Sequence, residues 1–303
     1  RLRTRVLSFM LAGSMMLAQH PFPLLRGHLF WGGTVSPTAL SETNSTGTLA
    51  FDQYGYPYDS TKGNEYETNH HTTAVVSSDG SWAYQKFTNS QGDVYILVLT
   101  ENFDQALTAD HQLQVISKAP TLTGGTYNGI VQLGSTDQRS DASGCTFNAP
   151  IAVLAAGTTL TGCTAHSSVQ CAAADITLTG CTINRKSDDS TVLWLSKYDD
   201  SNTAAGCSMT LNNCNVSCGV LVSTDGKATI NGGTYNIPGE KMGIVATGAV
   251  CITGGEFTTQ IVASTNGSIT IENGTFNLGE RKFISAAGGD ITIEDGTFDS
   301  YLQ

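Results

Sequence analysis

Apolar residues recur along this chain in short alternating stretches, not at helical spacing. The clearest pair is "ITIENGTFNL" at 269–278 and "ITIEDGTFDS" at 291–300, 22 residues apart. In each, apolar side chains take every second position before a Gly-centred bend, and an aromatic follows. Period-two alternation marks a strand with one buried face. Aligned on the bend, the chain holds nine copies: "TLTGGTY" (121–127), "DASGCTF" (141–147), "TLTGCTA" (159–165), "TLTGCTI" (177–183), "TLNNCNV" (210–216), "TINGGTY" (229–235), "CITGGEF" (251–257), "TIENGTF" (270–276) and "TIEDGTF" (292–298). Successive starts lie 20, 18, 18, 33, 19, 22, 19 and 22 residues apart.

The second position is apolar in all nine copies, from Leu122 to Ile293, and so is the seventh, from Tyr127 to Phe298. The first and sixth positions are each Thr in seven of nine. A unit this short cannot bury an apolar face alone. Stacked in parallel at ~4.8 Å, each coil covers the next. The pattern therefore predicts an all-β parallel β-solenoid of nine or more coils of about 20 residues. A second strand per coil is predicted at "GIVQLG", "IAVLAAG", "VLVSTDG", "GIVATGA" and "QIVASTNG". A leucine-rich repeat would need a recurring L-x-x-L-x-L, which is missing.

Upstream, "GTLAF", "TTAVVSS" and "SWAYQKF" predict short strands in an N-terminal cap region over 27–92. "DVYILVLTENF" and "HQLQVIS" begin the β-helix, expected over 93–303. Only five residues follow Phe298, and the natural protein is expected to continue beyond Gln303 with more coils, a cap or an anchoring module. The start, "RLRTRVLSFMLAGSMMLAQHPF", sets three Arg before an uncharged run, Val6–Ala18. That layout predicts a signal peptide over 1–26, and hence a secreted or cell-surface protein. The run is too short for a transmembrane span of ~20 residues.

Charged residues make up 14% of the chain, with 26 acidic against 15 basic. A net charge of −11 repels phosphate backbones and argues against a nucleic-acid partner. Neither a phosphate-binding loop nor a nucleophile–base set can be assembled by motif. Of eight Cys, four (Cys145, Cys163, Cys181, Cys214) share the fifth repeat position, where the other five copies carry Gly. They read as small side chains at a crowded corner. Ladder neighbours stand ~4.8 Å apart, whereas a disulfide brings Cβ atoms to ~3.8 Å, so a Cys163–Cys181 bridge would be strained.

At "ITIENGTF" and "ATINGGTYN" the chain resembles the right-handed parallel β-helix repeats of secreted bacterial surface proteins, adhesin-like members of the pectate-lyase-like superfamily. The resemblance covers about residues 93–303, and the handedness rests on it. The implied fold hosts polysaccharide lyases, glycoside hydrolases, phage tailspikes and non-catalytic adhesins. The signal-like start, long regular coils, acidic low-charge surface and lack of a catalytic motif favour a non-catalytic binding or spacer module directed at a polysaccharide or surface glycan. The alternative on the same fold is a polysaccharide lyase or glycoside hydrolase. No lyase motif maps onto this sequence.

The residues offer several candidate sites. The 33-residue spacing holds Asp188, Asp189, Asp199 and Asp200 around "TVLWLS", with Lys197 nearby. Paired carboxylates serve as acid and base on a sugar or take Ca²⁺; the same residues also make ordinary turns. Glu272 and Glu294 share one column, a candidate metal pair. Tyr54, Tyr56, Tyr58 and Trp82 offer aromatic faces for sugar stacking, or simply pack the cap. "EYETNHH" brings Glu65, Glu67, His70 and His71 together as weaker zinc candidates. The Thr columns also suit an ice-binding face, but Asp141, Cys251, Asn215 and Glu256 interrupt them.

Overall fold

The structure, a computed structural model, describes residues 49–51, 55–62, 75–89, 92–104, 107, 109, 113–184, 191–198, 203–238, 243–279 and 282–299. Two sheets, parallel throughout the repeats, wind into a solenoid of nine coils. The first sheet has 15 strands and bends into two arms. Its long arm stacks Thr121–Thr123, Asp141–Ser143, Thr159–Thr161, Ile176–Thr179 and then the first halves of Ser208–Val216, Lys227–Tyr235 and Ala249–Phe257, followed by Ser268–Ile271 and Asp290–Ile293. Its short arm carries the two-residue strands such as Thr126–Tyr127 and Thr146–Phe147. The second sheet has 12 strands. It includes Val131–Leu133, Ile151–Val153, Val169–Cys171, Val192–Leu195, Gly219–Val222, Gly243–Ala246, Gln260–Ser264 and Ile284–Ala287.

The register follows the repeat. Leu122, Ala142, Leu160, Leu178, Leu211, Ile230, Ile252, Ile271 and Ile293 pair in turn along the long arm. All are buried except Ile293, 43% exposed in the last described coil. The seventh-position column runs down the short arm. Tyr235, Phe257, Phe276 and Phe298 stack nearly parallel at 4.9, 4.8 and 4.8 Å. This is the strand spacing itself, so each ring rests on the coil below. Tyr127 and Phe147 form a second stack at 5.3 Å.

The corners that join the arms differ: at Gly124–Gly125 and Gly232–Gly233 both residues have positive φ. Coils with Cys at the fifth position put the left-handed residue just before it: Gly144, Gly162, Gly180 and Asn213, with φ between 50° and 63°. In later coils the fifth position itself is Gly at φ 123° (Gly255), 145° (Gly274) and 137° (Gly296), a region that side chains with Cβ avoid.

The repeats are preceded by antiparallel strands. Val75–Val76, Trp82–Asn89 and Gly92–Leu99 form a meander, and Gly92–Leu99 then pairs in parallel with Gln114–Ser117, which continues into the coils. A small hairpin, Leu49–Phe51 with Pro57–Asp59, lies beside it. Buried Asp59 ties it down, accepting from the Thr61 N–H and hydroxyl at 3.0 and 2.6 Å and from the Ser78 N–H at 2.7 Å. Burial raises the Asp59 pKa, but these bonds outweigh it and hold the carboxyl below its ordinary value.

Candidate functional site

The two sheets present different outer faces. On the second sheet most of the outward column is covered: Gln132, Ala152, Gln170, Trp194 and Val262 are buried, and Leu221 and Val245 between the last two are half-buried. Ala152 packs with Ile130, Leu154 and Tyr198. The Gln170 side-chain amide donates to the Lys197 carbonyl at 3.1 Å, and Trp194 Nε1 donates to Ser223 Oγ at 2.9 Å. The segment after Val192–Leu195 thus folds back over this sheet. Here lie the reachable parts of the acidic insert. Lys197 is half-buried, and its backbone N–H donates to the Thr203 carbonyl at 2.8 Å. Asp188, Asp189, Asp199 and Asp200 lie outside the described residues, as do Glu65, Glu67, His70, His71 and Tyr54.

The first sheet has the open face. Its outward columns on the long arm are the first and third repeat positions. Thr121, Thr123, Thr161 and Thr179 are exposed, while Ser143, Asn212 and Asn231 are half-exposed. Strand pairing aligns Thr123, Ser143, Thr161, Thr179, Asn212 and Asn231 in one row. Side chains link along that row: Asn212 Nδ2 donates to Thr179 Oγ1 at 3.4 Å, Asn231 Nδ2 to Asn212 Oδ1 at 2.9 Å, and Thr253 Oγ1 to Asn231 Oδ1 at 2.7 Å. Asp141, which interrupts the Thr column, is held on two sides. Arg139 grips it bidentately at 2.8 and 2.8 Å, and the Thr159 N–H donates to it at 2.7 Å.

The short arm adds the sixth-position Thr column and a further row that the sequence reading missed. The residue after each aromatic position is Asn128, Asn148, His166, Asn184, Ser217, Asn236, Thr258, Asn277 or Asp299. Backbone bonds place these residues on successive coils. Asn148 Nδ2 donates to Asn128 Oδ1 at 2.7 Å, Asn184 Nδ2 lies 3.2 Å from His166 Nδ1, and Thr258 donates to Asn236 at 2.8 Å. The signal was one letter beyond the aligned window.

Glu272 and Glu294 do stand on neighbouring coils, through the Ile271–Ile293 pairing, and both are exposed. Their neighbour is Cys251, whose thiol donates to Glu272 Oε1 at 3.3 Å. Burial, that hydrogen bond and the two carboxylates push the Cys251 thiol up to about 11. Among the described residues, no three His, Cys, Asp or Glu side chains gather as metal ligands. The aromatic candidates are mostly inside. Trp82 is fully buried, and Tyr56 packs at 5.2 Å on Tyr95 and 6.5 Å on Tyr84. Their rings serve the core, where burying apolar area outweighs exposure; Tyr58 alone of the described three is half-open.

No family model, curated protein or solved structure matches this chain. No helix among the described residues is long and apolar enough to cross a membrane.

Proposed function

We propose that this chain is a secreted or cell-surface β-helix protein acting as a non-catalytic binding and spacer module, adhesin-like, directed at carbohydrate. The observation that supports it is the open face of the first sheet, with its in-register rows of Thr, Ser and Asn. Each Thr hydroxyl both donates and accepts, and each Asn amide offers two donors and an acceptor. Repeated at ~4.8 Å, such groups suit an extended polyhydroxylated chain lying along the coils. The net charge of −11 favours a neutral or cationic glycan over a polyanionic one. Nine coils at that spacing give a rod of roughly 40 Å, which holds the face away from whatever anchors it.

The test is retention on a panel of insoluble polysaccharides, with and without calcium, while new reducing ends are followed in the same tubes. Retention is expected on at least one glycan, without cleavage. The double variant Thr161→Glu, Thr179→Glu changes only exposed side chains and is expected to lower retention tenfold or more. Unchanged retention in that variant would remove this face from the proposal. Reducing ends released by the wild-type protein would replace the binding module with a polysaccharide lyase or glycoside hydrolase.

A further inference from the structure

The binding face leaves unused the column of four buried thiols on the short-arm side of the corner. Cys145, Cys163, Cys181 and Cys214 are all free and buried. The residues after them pair in sequence, Thr146 with Thr164, Thr164 with Thr182 and Thr182 with Asn215, so each Cys lies directly across from the next. Three sulfurs lean toward the preceding coil: Cys145 Sγ donates to the Leu122 carbonyl at 3.4 Å, Cys181 Sγ to Leu160 at 3.3 Å and Cys214 Sγ to Leu178 at 3.4 Å. Cys163 is the exception and donates only within its own coil, to Thr161 at 3.6 Å.

The column is not uniform in packing either. At the third coil the seventh position is Ala165, where its neighbours carry Phe147 and Ile183. The missing side chain leaves a small cavity of about 10 Å³, lined by Cys163, Cys181, Ala165, Phe147, Leu160 and other core residues. Of the four thiols, only Cys163 and Cys181 border it. Residues across a parallel pair stand ~4.8 Å apart, within the Cα span of a disulfide, but the Cβ atoms must close to ~3.8 Å. A close-packed core resists such a shift. Beside the cavity there is room for it.

We propose that Cys163 and Cys181 are a redox pair that, in an oxidising medium, joins the third coil to the fourth through a disulfide. The co-reactant is a small disulfide such as oxidised glutathione, acting while the coils are still assembling. The Cys163 thiolate attacks one sulfur of that disulfide and displaces a thiolate, which takes up the proton Cys163 released. Cys181 then loses its proton and attacks Cys163 Sγ, displacing the second small thiol, which takes that proton. One S–S bond is broken and one formed; two electrons pass to the small disulfide. Cys145 and Cys214 remain reduced.

The full chain would be refolded in a glutathione redox buffer, its free thiols alkylated under denaturing conditions, and the product cleaved before Asp. Cleavage at Asp141 and Asp175 separates Cys163 from Cys181. The expected product is a linked pair of peptides beginning at those residues, with the bond assigned to Cys163–Cys181 by fragmentation. It persists in Cys145→Ser and Cys214→Ser and disappears in Cys163→Ser. The oxidised protein is expected to melt several degrees above the reduced one. Eight alkylated cysteines in wild type, or links Cys145–Cys163 and Cys181–Cys214 instead, would overturn the assignment even if Cys163→Ser failed to fold.

Discussion

Gly274 and Phe276 compete for one space: a Cβ on Gly274 would lie 2.9 Å from Phe276 Cε2. The same contact recurs at 3.2 Å between Gly255 and Phe257 and between Gly296 and Phe298. The fifth and seventh positions thus share one corner of the core. Where the fifth is Gly, the seventh is Tyr or Phe; where it is Cys, the seventh is mostly small or aliphatic: Ala165, Ile183 and Val216. Only Cys145 with Phe147 combines the two larger choices.

Gly274→Ala would therefore meet both a disallowed φ of 145° and a packed ring. A loss of ~3 kcal/mol or more is expected, adding backbone strain to overpacking. Gly162→Ala is the control. Its φ is 58° and no atom lies within 4 Å of the added Cβ, so only the left-handed penalty of about 1–2 kcal/mol applies. Urea unfolding midpoints of the two variants check the difference; equal losses would show that the ring contact contributes nothing.

Ala165 is the natural site for a gain. Ala165→Ile would match Ile183 on the next coil and fill the cavity beside Cys163. Cavity filling of this kind typically adds ~0.5–2 kcal/mol. Phe147→Ala, one coil earlier, should instead cost about 3–5 kcal/mol. Thermal melts read both, and a destabilised Ala165→Ile would mean that the corner cannot take a branched side chain.

The thiols make the reduced protein sensitive to alkali. Burial pushes Cys171 and Cys218 up to about 12, and Cys251 is held near 11. Unfolded, each titrates near ~8.5, so above that pH the unfolded chain binds fewer protons than the folded one. Their contribution is whole below ~8.5 and drains away as pH rises through 11 to 12. The melting temperature should fall across this range, and Cys171→Ala should flatten the fall. A melting temperature constant from pH 8 to 11 would refute it.

Cys251 is the one thiol of the eight that is not buried. In native protein at pH 8 it should react with a disulfide reagent, slowly, because partial burial and then the hydrogen bond and charge of Glu272 and the charge of Glu294 disfavour its thiolate. Glu272→Gln removes a hydrogen-bonded charge and should speed that reaction several-fold without altering the other seven. Rates of reagent release measure this directly.

Much of this fold was legible in the letters. The second and seventh positions revealed their burial because an inward column must be apolar in every coil, and the ~20-residue period followed. The Gly–Phe trade-off was present in the same alignment, but it is a relation between two columns, invisible when each is read alone. The mostly covered face of the second sheet has no local signature. Gln132 and Gln170 alternate as solvent-facing residues should, yet both are buried, and Gln170 is held by the backbone of a segment 26 and 27 residues away. Likewise, the aromatic cap candidates could be counted from sequence, but which rings turned inward depended on how the strands Trp82–Asn89 and Gly92–Leu99 paired.

Because each coil is hydrogen-bonded only to its immediate neighbours, the rod is a one-dimensional stack held by bonds that run along its own axis. Pulled from its ends, such a stack yields from a terminus, one coil at a time. Each released coil of about 20 residues lengthens from ~4.8 Å to roughly 60–70 Å of extended chain. A surface-tethered protein built this way would pay out slack in steps under flow, keeping the remaining coils and their open face intact while the load is absorbed.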